Sequence, residues 1–268
     1  MESFEKKYYE NASFWEDGML EDKSNKNRII TTANLIPEDV KLLADIGCGN
    51  GVFLNYLSAN KSEIKTVGVD RSEMALKFVK GKKQIGDIVS LPFEDNYFDC
   101  TTCLEVIEHL PVPIYETALN ELCRVSKKYV IISVPYAEKI ADSYTKCPQC
   151  KTIFNWELHL RRYEKKDMEI LLQKNNFKCI NHQTLGDCEK YVGHDFFRKI
   201  VYPEHFLKWN SPLCPVCGFS EINKKKKNIT ANLTMPQRSF ISYFTAIPKL
   251  FWPKVKKDYW ILALYEKQ

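Results

Sequence analysis

The chain has 268 residues, of which 44% are hydrophobic and 27% are charged, and its net charge is +5. This length supports a substantial core, and the composition is that of an ordinary globular protein, not of a disordered or fibrous one. No stretch has the apolar length of a membrane-spanning helix, and the first residues lack the apolar core of a signal peptide. We therefore expect a cytoplasmic protein, and the mild positive charge does not favour a nucleic-acid partner.

Residues 41–46 form an apolar run containing Asp45, and three glycines follow at alternate positions, Gly47, Gly49 and Gly51. Helical apolar spacing begins directly afterwards at Val52. The pattern predicts a buried strand, a tight turn and a helix start, which is the first unit of a doubly wound α/β sheet. Glycines in such a turn let a ligand reach the backbone. The spacing differs from the G-x-G-x-x-G of dinucleotide-binding folds, which disfavours a nicotinamide-dependent oxidoreductase.

Two further acidic residues follow predicted strands. Asp70 ends the strand over residues 66–70, where a carboxylate can accept hydrogen bonds from both hydroxyls of a ribose. Asp87 lies in the segment Gly86-Asp87-Ile88-Val89-Ser90-Leu91-Pro92-Phe93, after the next strand. Later strands are predicted over residues 96–103, 129–135, 177–183 and 259–265. Helices are predicted over residues 2–10, 25–35, 115–125 and 165–175.

The segment Asp45-Ile46-Gly47-Cys48-Gly49-Asn50-Gly51, followed by the acids at positions 70 and 87, resembles the cofactor motifs of the class I S-adenosylmethionine (SAM)-dependent methyltransferases. The resemblance covers residues 30–185 and the final strand. It implies an α/β fold with a Rossmann-like, doubly wound, mostly parallel sheet of seven strands in the order 3-2-1-4-5-7-6. In this fold the last strand is antiparallel and lies between strands five and six.

The same resemblance implies that SAM is the cofactor. In the resembling family the ribose binds the acid at the Asp70 position, the adenine amino group binds the acid at the Asp87 position, and the residue at Met74 packs on the adenine face. The implied cofactor-binding residues are Asp45, Gly47, Cys48, Gly49, Gly51, Asp70, Arg71, Met74, Asp87, Ile88, Leu104 and Glu105.

The family also often folds a leading segment over the SAM pocket, so we expect residues 1–40 to form a helical lid on a core of residues 41–185 and 258–268. The aromatic residues of this segment include Tyr8, Tyr9, Phe14 and Trp15. Lining of the SAM pocket and packing against the sheet remain alternatives for these rings.

The segment Glu105-Val106-Ile107-Glu108-His109 follows the fourth strand, beside the transferred methyl group in the resembling family. It resembles the ubiquinone-biosynthesis O-methyltransferases, whereas the chain lacks the motifs of base methylases at this point. His109 and Glu108 are therefore candidate catalytic residues, with His109 as a general base. Alternatively, Glu105, Glu108 and His109 hold Mg²⁺, which would acidify a substrate hydroxyl. A third interpretation assigns Glu105 to the SAM pocket and leaves the other two residues to orient the turn.

Two C-x-x-C pairs, Cys147/Cys150 and Cys214/Cys217, offer four thiolates for one tetrahedral zinc ion. In a chain without a signal peptide this spacing favours metal over disulfides. The expected fold leads both pairs to one edge of the sheet, so zinc would join two cap insertions, residues 144–163 and 186–257. Unligated thiols, a redox pair, or His159 in place of one thiolate are the alternatives.

The second insertion is rich in aromatic residues and lysines. Aromatic walls suit an apolar acceptor, aromatics beside lysines suit peripheral contact with an anionic membrane, and a small core of the cap is the third possibility. The residues concerned are His194, Phe196, Phe197, Tyr202, His205, Phe206, Trp209, Phe240, Tyr243, Phe244, Phe251, Trp252 and the lysines at 224–227, 249, 254, 256 and 257.

The predicted function is methyl transfer from SAM to an oxygen or nitrogen atom of a small-molecule or glycan-intermediate acceptor. The first rival is an RNA or protein methyltransferase that binds its polymer through the cysteine module. The second is a non-catalytic subunit that uses the SAM fold as a scaffold.

Overall fold

The structure, a computed structural model, describes residues 9–10, 15, 23–186, 188–191, 214–219 and 254–268. Most of the helix predicted over residues 2–10 and the rings of Tyr8 and Phe14 lie outside these residues. So do residues 194–209, 224–227 and 240–252, on which the predictions for the second insertion depend.

The described chain contains eleven strands and five α-helices. The strands are β1 (Leu42–Ile46), β2 (Lys65–Asp70), β3 (Lys82–Ile85), β4 (Phe98–Leu104), β5 (Ser126–Pro135), β6 (Tyr144–Lys146), β7 (Ile153–Asn155), β8 (Phe177–Leu185), β9 (Cys188–Tyr191), β10 (Lys254–Lys257) and β11 (Trp260–Lys267). The helices are α1 (Lys23–Asn34), α2 (Val52–Asn60), α3 (Glu73–Leu76), α4 (Val112–Val125) and α5 (Lys165–Ile170).

Seven strands form one sheet in the order β3-β2-β1-β4-β5-β11-β8. Neighbours from β3 to β5 are parallel, whereas β11 is antiparallel to both β5 and β8. The predicted order 3-2-1-4-5-7-6 is confirmed, because β8 and β11 are the sixth and seventh strands of this sheet. The carboxyl ends of β1, β2 and β4 therefore lie next to one another, which is where such sheets bind ligands.

Apolar side chains alternate between the two faces of the central strands, so each face has its own buried cluster. On β5, Val130 and Ile132 belong to one cluster and Ile131 belongs to the other. The first cluster packs against α4 and α5, with Leu122 and Met168 fully buried. Burial of both faces explains why these strands are near-continuous apolar runs.

Some helix bounds differ from the predicted ones. Helix α4 begins at Val112, directly after Pro111, because a proline at a helix N-terminus loses no backbone hydrogen bond. Helix α5 ends at Ile170, and a 3₁₀ turn then leads to Asn176, whose left-handed conformation (φ 61°) ends the helical stretch.

The chain divides into two compact units. The core unit comprises residues 1–138, 160–186 and 258–268, and the inserted unit comprises residues 139–159 and 187–257. Within the inserted unit, β6 pairs with β7 and β9 pairs with β10, both antiparallel. Among the residues that the structure describes, no helix is long and apolar enough to cross a bilayer.

We predict that Gly51→Ala destabilises the protein by about 1–3 kcal/mol. Gly51 has φ 73°, and an added Cβ would lie 2.8 Å from Val79 Cγ2 and 3.1 Å from its Cα. The measurement is urea unfolding beside Gly81→Ala, whose Cβ would meet only Thr66 Oγ1 at 3.9 Å. Equal losses in the two variants would contradict this.

Candidate active site

The glycine turn after β1 is built from three residues in the left-handed region, Gly47 (φ 77°), Gly49 (φ 52°) and Gly51 (φ 73°). Other residues rarely adopt this conformation. The amides of Gly47 and Cys48 both donate to the carbonyl of Val69, at 2.7 and 3.0 Å, which ties the turn to β2. The turn is therefore a rigid backbone surface at the carboxyl ends of two adjacent strands.

Asp70, at the end of β2, holds this turn from the side. Its Oδ2 accepts the Gly49 amide at 2.8 Å, and its Oδ1 accepts the Ser72 amide at 2.8 Å. Burial raises the pKa of Asp70, and the two amides oppose that effect. Each carboxylate oxygen keeps a further lone pair with which it can accept a ligand hydroxyl.

Asp45, near the end of β1, is 3% exposed and accepts a hydrogen bond from Thr102 Oγ1 at 2.6 Å. Burial raises its pKa to about 7, although the Thr102 hydroxyl and the charge of Arg28 lower it. The carboxyl group therefore links β1 to β4 and is easily deprotonated when a cation binds nearby.

The third predicted acid, Asp87, follows β3 and is exposed, with its Oδ1 accepting the Val89 amide at 3.2 Å. The structure thus places the three aspartates on three adjacent strand ends. Of the other predicted cofactor-binding residues, Cys48 is buried, Arg71 is exposed, and Met74, Ile88 and Leu104 are half-buried.

Two aromatic residues of the leading segment contact this region. The Trp15 ring occupies the space where a Cβ on Gly49 would lie, and the Trp15 carbonyl accepts a hydrogen bond from Asn50 at 3.2 Å. The Tyr9 carbonyl accepts the Ser72 hydroxyl at 3.0 Å and the Trp15 indole N–H at 2.6 Å. Tyr9 and Trp15, which lie more than 30 residues before the glycine turn in the sequence, thus contact the turn and the residues beside it.

Glu105 directly follows β4 and has a strained, left-handed backbone (φ 59°). Its carboxylate accepts hydrogen bonds from the Ser133 hydroxyl and from the Trp260 indole N–H, the latter at 2.9 Å. Arg28 Nη1 lies 4.0 Å from the same carboxylate. Strand ends from β5 and β11 and a helix therefore fix this side chain in one position.

Glu108 is fully buried in the 3₁₀ turn Ile107–His109, and neither carboxylate oxygen has a hydrogen-bond partner among the described residues. Burial, and then the charge of Glu105, raise the pKa of Glu108 well above its ordinary value. His109 is partly exposed, and its Nε2 lies 3.9 Å from Glu108 Oε1. The turn therefore carries a neutral acid beside an imidazole, a pair that can relay a proton.

The segment at residues 160–163 holds this turn through backbone carbonyls. The Leu160 amide donates to the Glu108 carbonyl at 2.8 Å, and the Arg161 guanidinium donates to the Leu110 carbonyl. Arg161 also stacks on the Tyr115 ring, with Cζ 3.9 Å from the centroid. A segment that follows the first insertion in sequence thus positions Glu108 and His109.

The four cysteines of the C-x-x-C pairs meet within the inserted unit. One sulfur atom from each residue lies within 4.8 Å of the other three, and the Cys147–Cys217 and Cys150–Cys214 sulfur distances are both 3.6 Å. His159 is outside this cluster, with its Nδ1 3.8 Å from Glu157 Oε2.

The two turns that carry these cysteines have the same backbone pattern. In the first, the Cys147 amide donates to the Thr152 carbonyl and the Lys151 amide donates to the Cys147 carbonyl. In the second, the same bonds join Cys214 with Phe219 and Gly218 with Cys214. Lys151 (φ 64°) and Gly218 (φ 72°) take the same left-handed position after the second cysteine.

Sequence reasoning missed Arg28, Ser133 and Trp260. Each contacts Glu105, yet the three lie on α1, β5 and β11, far apart in the sequence. No local pattern marks them, because an arginine on a helix and a tryptophan on a strand are ordinary residues until the fold brings them together.

Comparison with known proteins shows which family and which fold this chain resembles. Residues 44–133 match the family described as "Methyltransferase domain". A crystal structure of a SAM-dependent methyltransferase from Archaeoglobus fulgidus has the same fold, with a TM-score of 0.53 and 18% identity over 97% of this chain and 99% of that one. Residues 44–133 are therefore similar to methyltransferase domains, and the chain shares the fold of this solved structure, as the sequence motifs predicted.

The sequence matches to relatives cover only part of this chain and only part of each relative. An uncharacterised protein of Methanocaldococcus jannaschii is 35% identical over 48% of this chain and 53% of its own. The tRNA (carboxymethyluridine(34)-5-O)-methyltransferase of Arabidopsis thaliana is 34% identical over 37% of this chain and 25% of its own. The ubiquinone biosynthesis O-methyltransferase of Nitrosomonas europaea is 31% identical over 27% of this chain and 34% of its own. The chain thus spans about half or less of these relatives.

We predict that Glu108→Gln changes how stability depends on pH. Because the folded protein keeps a proton on Glu108 that the unfolded chain releases above about pH 4.5, wild-type stability falls as the pH rises through this window. Each pH unit there costs about 1.4 kcal/mol, and glutamine removes the loss. The advantage of the variant should therefore grow in urea unfolding as the pH rises above about 4.5. Parallel curves for wild type and variant would contradict this, and Glu116→Gln on the exposed face of α4 is the control.

Proposed function

We propose that this protein is an active methyltransferase, which transfers the methyl group of SAM to an oxygen or nitrogen atom of an acceptor. The observation that carries the proposal is the glycine turn held by Asp70, with Asp45 and Asp87 on the neighbouring strand ends. The carboxylates can accept the hydroxyls and amino groups of a nucleoside.

SAM, when bound, supplies a methyl group that its positive sulfur already activates. The protein therefore contributes mainly alignment of the acceptor with that methyl group and exclusion of water. Asp70 would hold the ribose hydroxyls and Asp87 the adenine amino group. The negative charges of Asp45 and Glu105 would stabilise the cationic half of the cofactor.

His109 is the proposed proton acceptor, and Glu108 is the second proposed catalytic residue. His109 is the partly exposed member, so its imidazole is placed to take a proton from the attacking hydroxyl or amine, with Glu108 behind it. A Mg²⁺ ion on Glu105, Glu108 and His109 is the alternative. Its support is weaker, because Ser133 and Trp260 already occupy the Glu105 carboxylate.

Two classes of acceptor have support. A small-molecule or glycan-intermediate acceptor is favoured by the Glu105-Val106-Ile107-Glu108-His109 segment and by the relative named for ubiquinone biosynthesis. An RNA acceptor is favoured by relatives named for tRNA methylation. Both kinds of name describe O-methylation in at least one relative, so we propose oxygen as the acceptor atom.

We further propose that the four cysteines bind one structural zinc ion in a reducing, cytoplasmic compartment. A tetrahedral zinc with Zn–S bonds of about 2.3 Å places its sulfurs about 3.8 Å apart, close to the 3.6 Å separations found here. Structural zinc sites with four cysteine ligands are commonly built from two such turns, each of which contributes two sulfur atoms. The ion would join segments separated by 63 residues in sequence.

SAM binding tests the first proposal. Calorimetric titration should show one site per chain, and Asp70→Asn should weaken binding about 10- to 100-fold, because a charged hydrogen-bond acceptor is lost. Glu63→Gln, an exposed acid in the loop after α2, is the control and should bind normally. If the folded wild-type protein does not bind SAM, the methyltransferase proposal is wrong, and the non-catalytic scaffold remains as the alternative.

His109 is tested with labelled methyl donor and two fractions of a cell extract, small molecules and RNA. His109→Gln should lower the rate of label incorporation about 100-fold while SAM affinity changes less than about threefold. His182→Gln on β8 is the matched control and should keep full rate. An unchanged rate in His109→Gln would exclude it as the base.

Metal analysis tests the zinc site. Protein purified without added zinc should contain one zinc per chain, and Cys147→Ser or Cys214→Ser should remove most of it, because three ligands hold the ion poorly. Cys179→Ser on β8 is the control and should retain the metal. Much less than one zinc in the wild type would exclude the site.

A further inference from the structure

Charge is divided unevenly between the two units. The inserted unit contains 16 lysines and arginines and 7 acidic residues, a net charge of +9. The core unit contains 23 basic and 27 acidic residues, a net charge of −4. The overall value of +5 averages over this difference. A strongly basic unit attached to an acidic one indicates a polyanionic partner for the basic unit.

The described part of the inserted unit has the same bias. Its 35 residues contain seven lysines and three acids. On the short ribbon β9–β10, three of the four residues of β10 are lysines, and Lys190 pairs with Val255 in the other strand. Lys256 and Lys257 are exposed. Two adjacent exposed lysines on β10 can contact the phosphates of a nucleic-acid backbone.

The hairpin β6–β7, which carries the first cysteine turn, adds a different chemistry. Lys146 pairs with Ile153, and Tyr144 lies two residues before Lys146, so the three side chains share one face. All three are exposed, Tyr144 by 43% and Ile153 by 52%. Thr145 lies on the opposite face and is buried, whereas Asn155, which pairs with Tyr144, is the buried residue of the shared face.

An exposed aromatic ring beside exposed lysines favours a nucleic acid over an anionic lipid surface as the partner. An exposed ring beside a lysine offers stacking for a base and a charge for the adjoining phosphate, which is how proteins bind single-stranded nucleic acid. An anionic lipid surface would use the lysines but has no ring to stack on Tyr144.

We infer that the inserted unit binds RNA through the Tyr144/Lys146/Ile153 face of the hairpin and the exposed lysines of β10, Lys256 and Lys257. Resting on the proposed methyltransferase function, the inference makes RNA the acceptor class and gives the cysteine module its role, which is to hold the hairpin that contacts the strand. Because the phosphates supply most of the binding energy, affinity falls with salt.

The test uses the full-length, zinc-loaded protein and a labelled, unstructured 20-nucleotide RNA in fluorescence anisotropy. Binding should weaken steeply between about 50 and 200 mM salt, by a factor of at least 10 for three or more phosphate contacts. Tyr144→Ala/Lys146→Ala should weaken binding about 10-fold or more, with zinc content unchanged. Lys80→Ala/Lys82→Ala, the same number of exposed positions changed in the core unit, should bind like the wild type.

Three outcomes overturn the inference: no RNA binding at 50 mM salt, equal losses in the two double variants, or co-sedimentation with phosphatidylserine vesicles in the absence of RNA binding. SAM titration of the same preparation separates the two proposals. If the protein binds SAM but not RNA, the RNA inference is wrong and the proposed methyltransferase function stands. A small molecule is then the favoured acceptor.

Discussion

One hydrogen bond organises the core unit, from the Gly49 amide to the carboxylate of Asp70 at 2.8 Å. It forms because the chain turns through left-handed glycines after β1, which brings the backbone across to the end of β2. The carbonyl of Val69 accepts two more amides from the same turn. Removing a carboxylate from water is costly without partners, so the Gly49 and Ser72 amides stabilise Asp70 at the position where we propose that the ribose binds.

The two acidic residues after β4 differ from each other in burial and in hydrogen bonding. Glu105 is satisfied by Ser133 and Trp260, whereas Glu108 has no hydrogen-bond partner among the described residues and keeps its proton. A buried, unsatisfied carboxyl destabilises the fold, and proteins keep such groups mainly where they act on a ligand. The contrast between these neighbours supports a role for Glu108 and His109 in proton transfer and one for Glu105 in charge stabilisation.

The glycine turn was predictable because its causes are local: an apolar run, glycine spacing and an acid near the strand end. The order of the sheet was implied by the resemblance to the SAM-dependent methyltransferases, since local patterns do not determine which strands pair. The surroundings of Glu105 were not predictable, since Arg28 and Trp260 reach it only through the tertiary fold. The meeting of the cysteine pairs was predicted from the topology that leads both insertions from one sheet edge. The charge asymmetry was hidden, because the net charge of +5 says nothing about how basic residues are distributed between units.

The central claim is that adenosine is held by carboxylates presented from adjacent strand ends. A crystal structure with S-adenosylhomocysteine tests it most directly, since this product keeps the adenosine and lacks only the methyl group. We predict both ribose hydroxyls within hydrogen-bonding distance of Asp70 and the adenine amino group at Asp87. An adenosine bound elsewhere, or bound with Asp70 still committed only to Gly49 and Ser72, would contradict the claim.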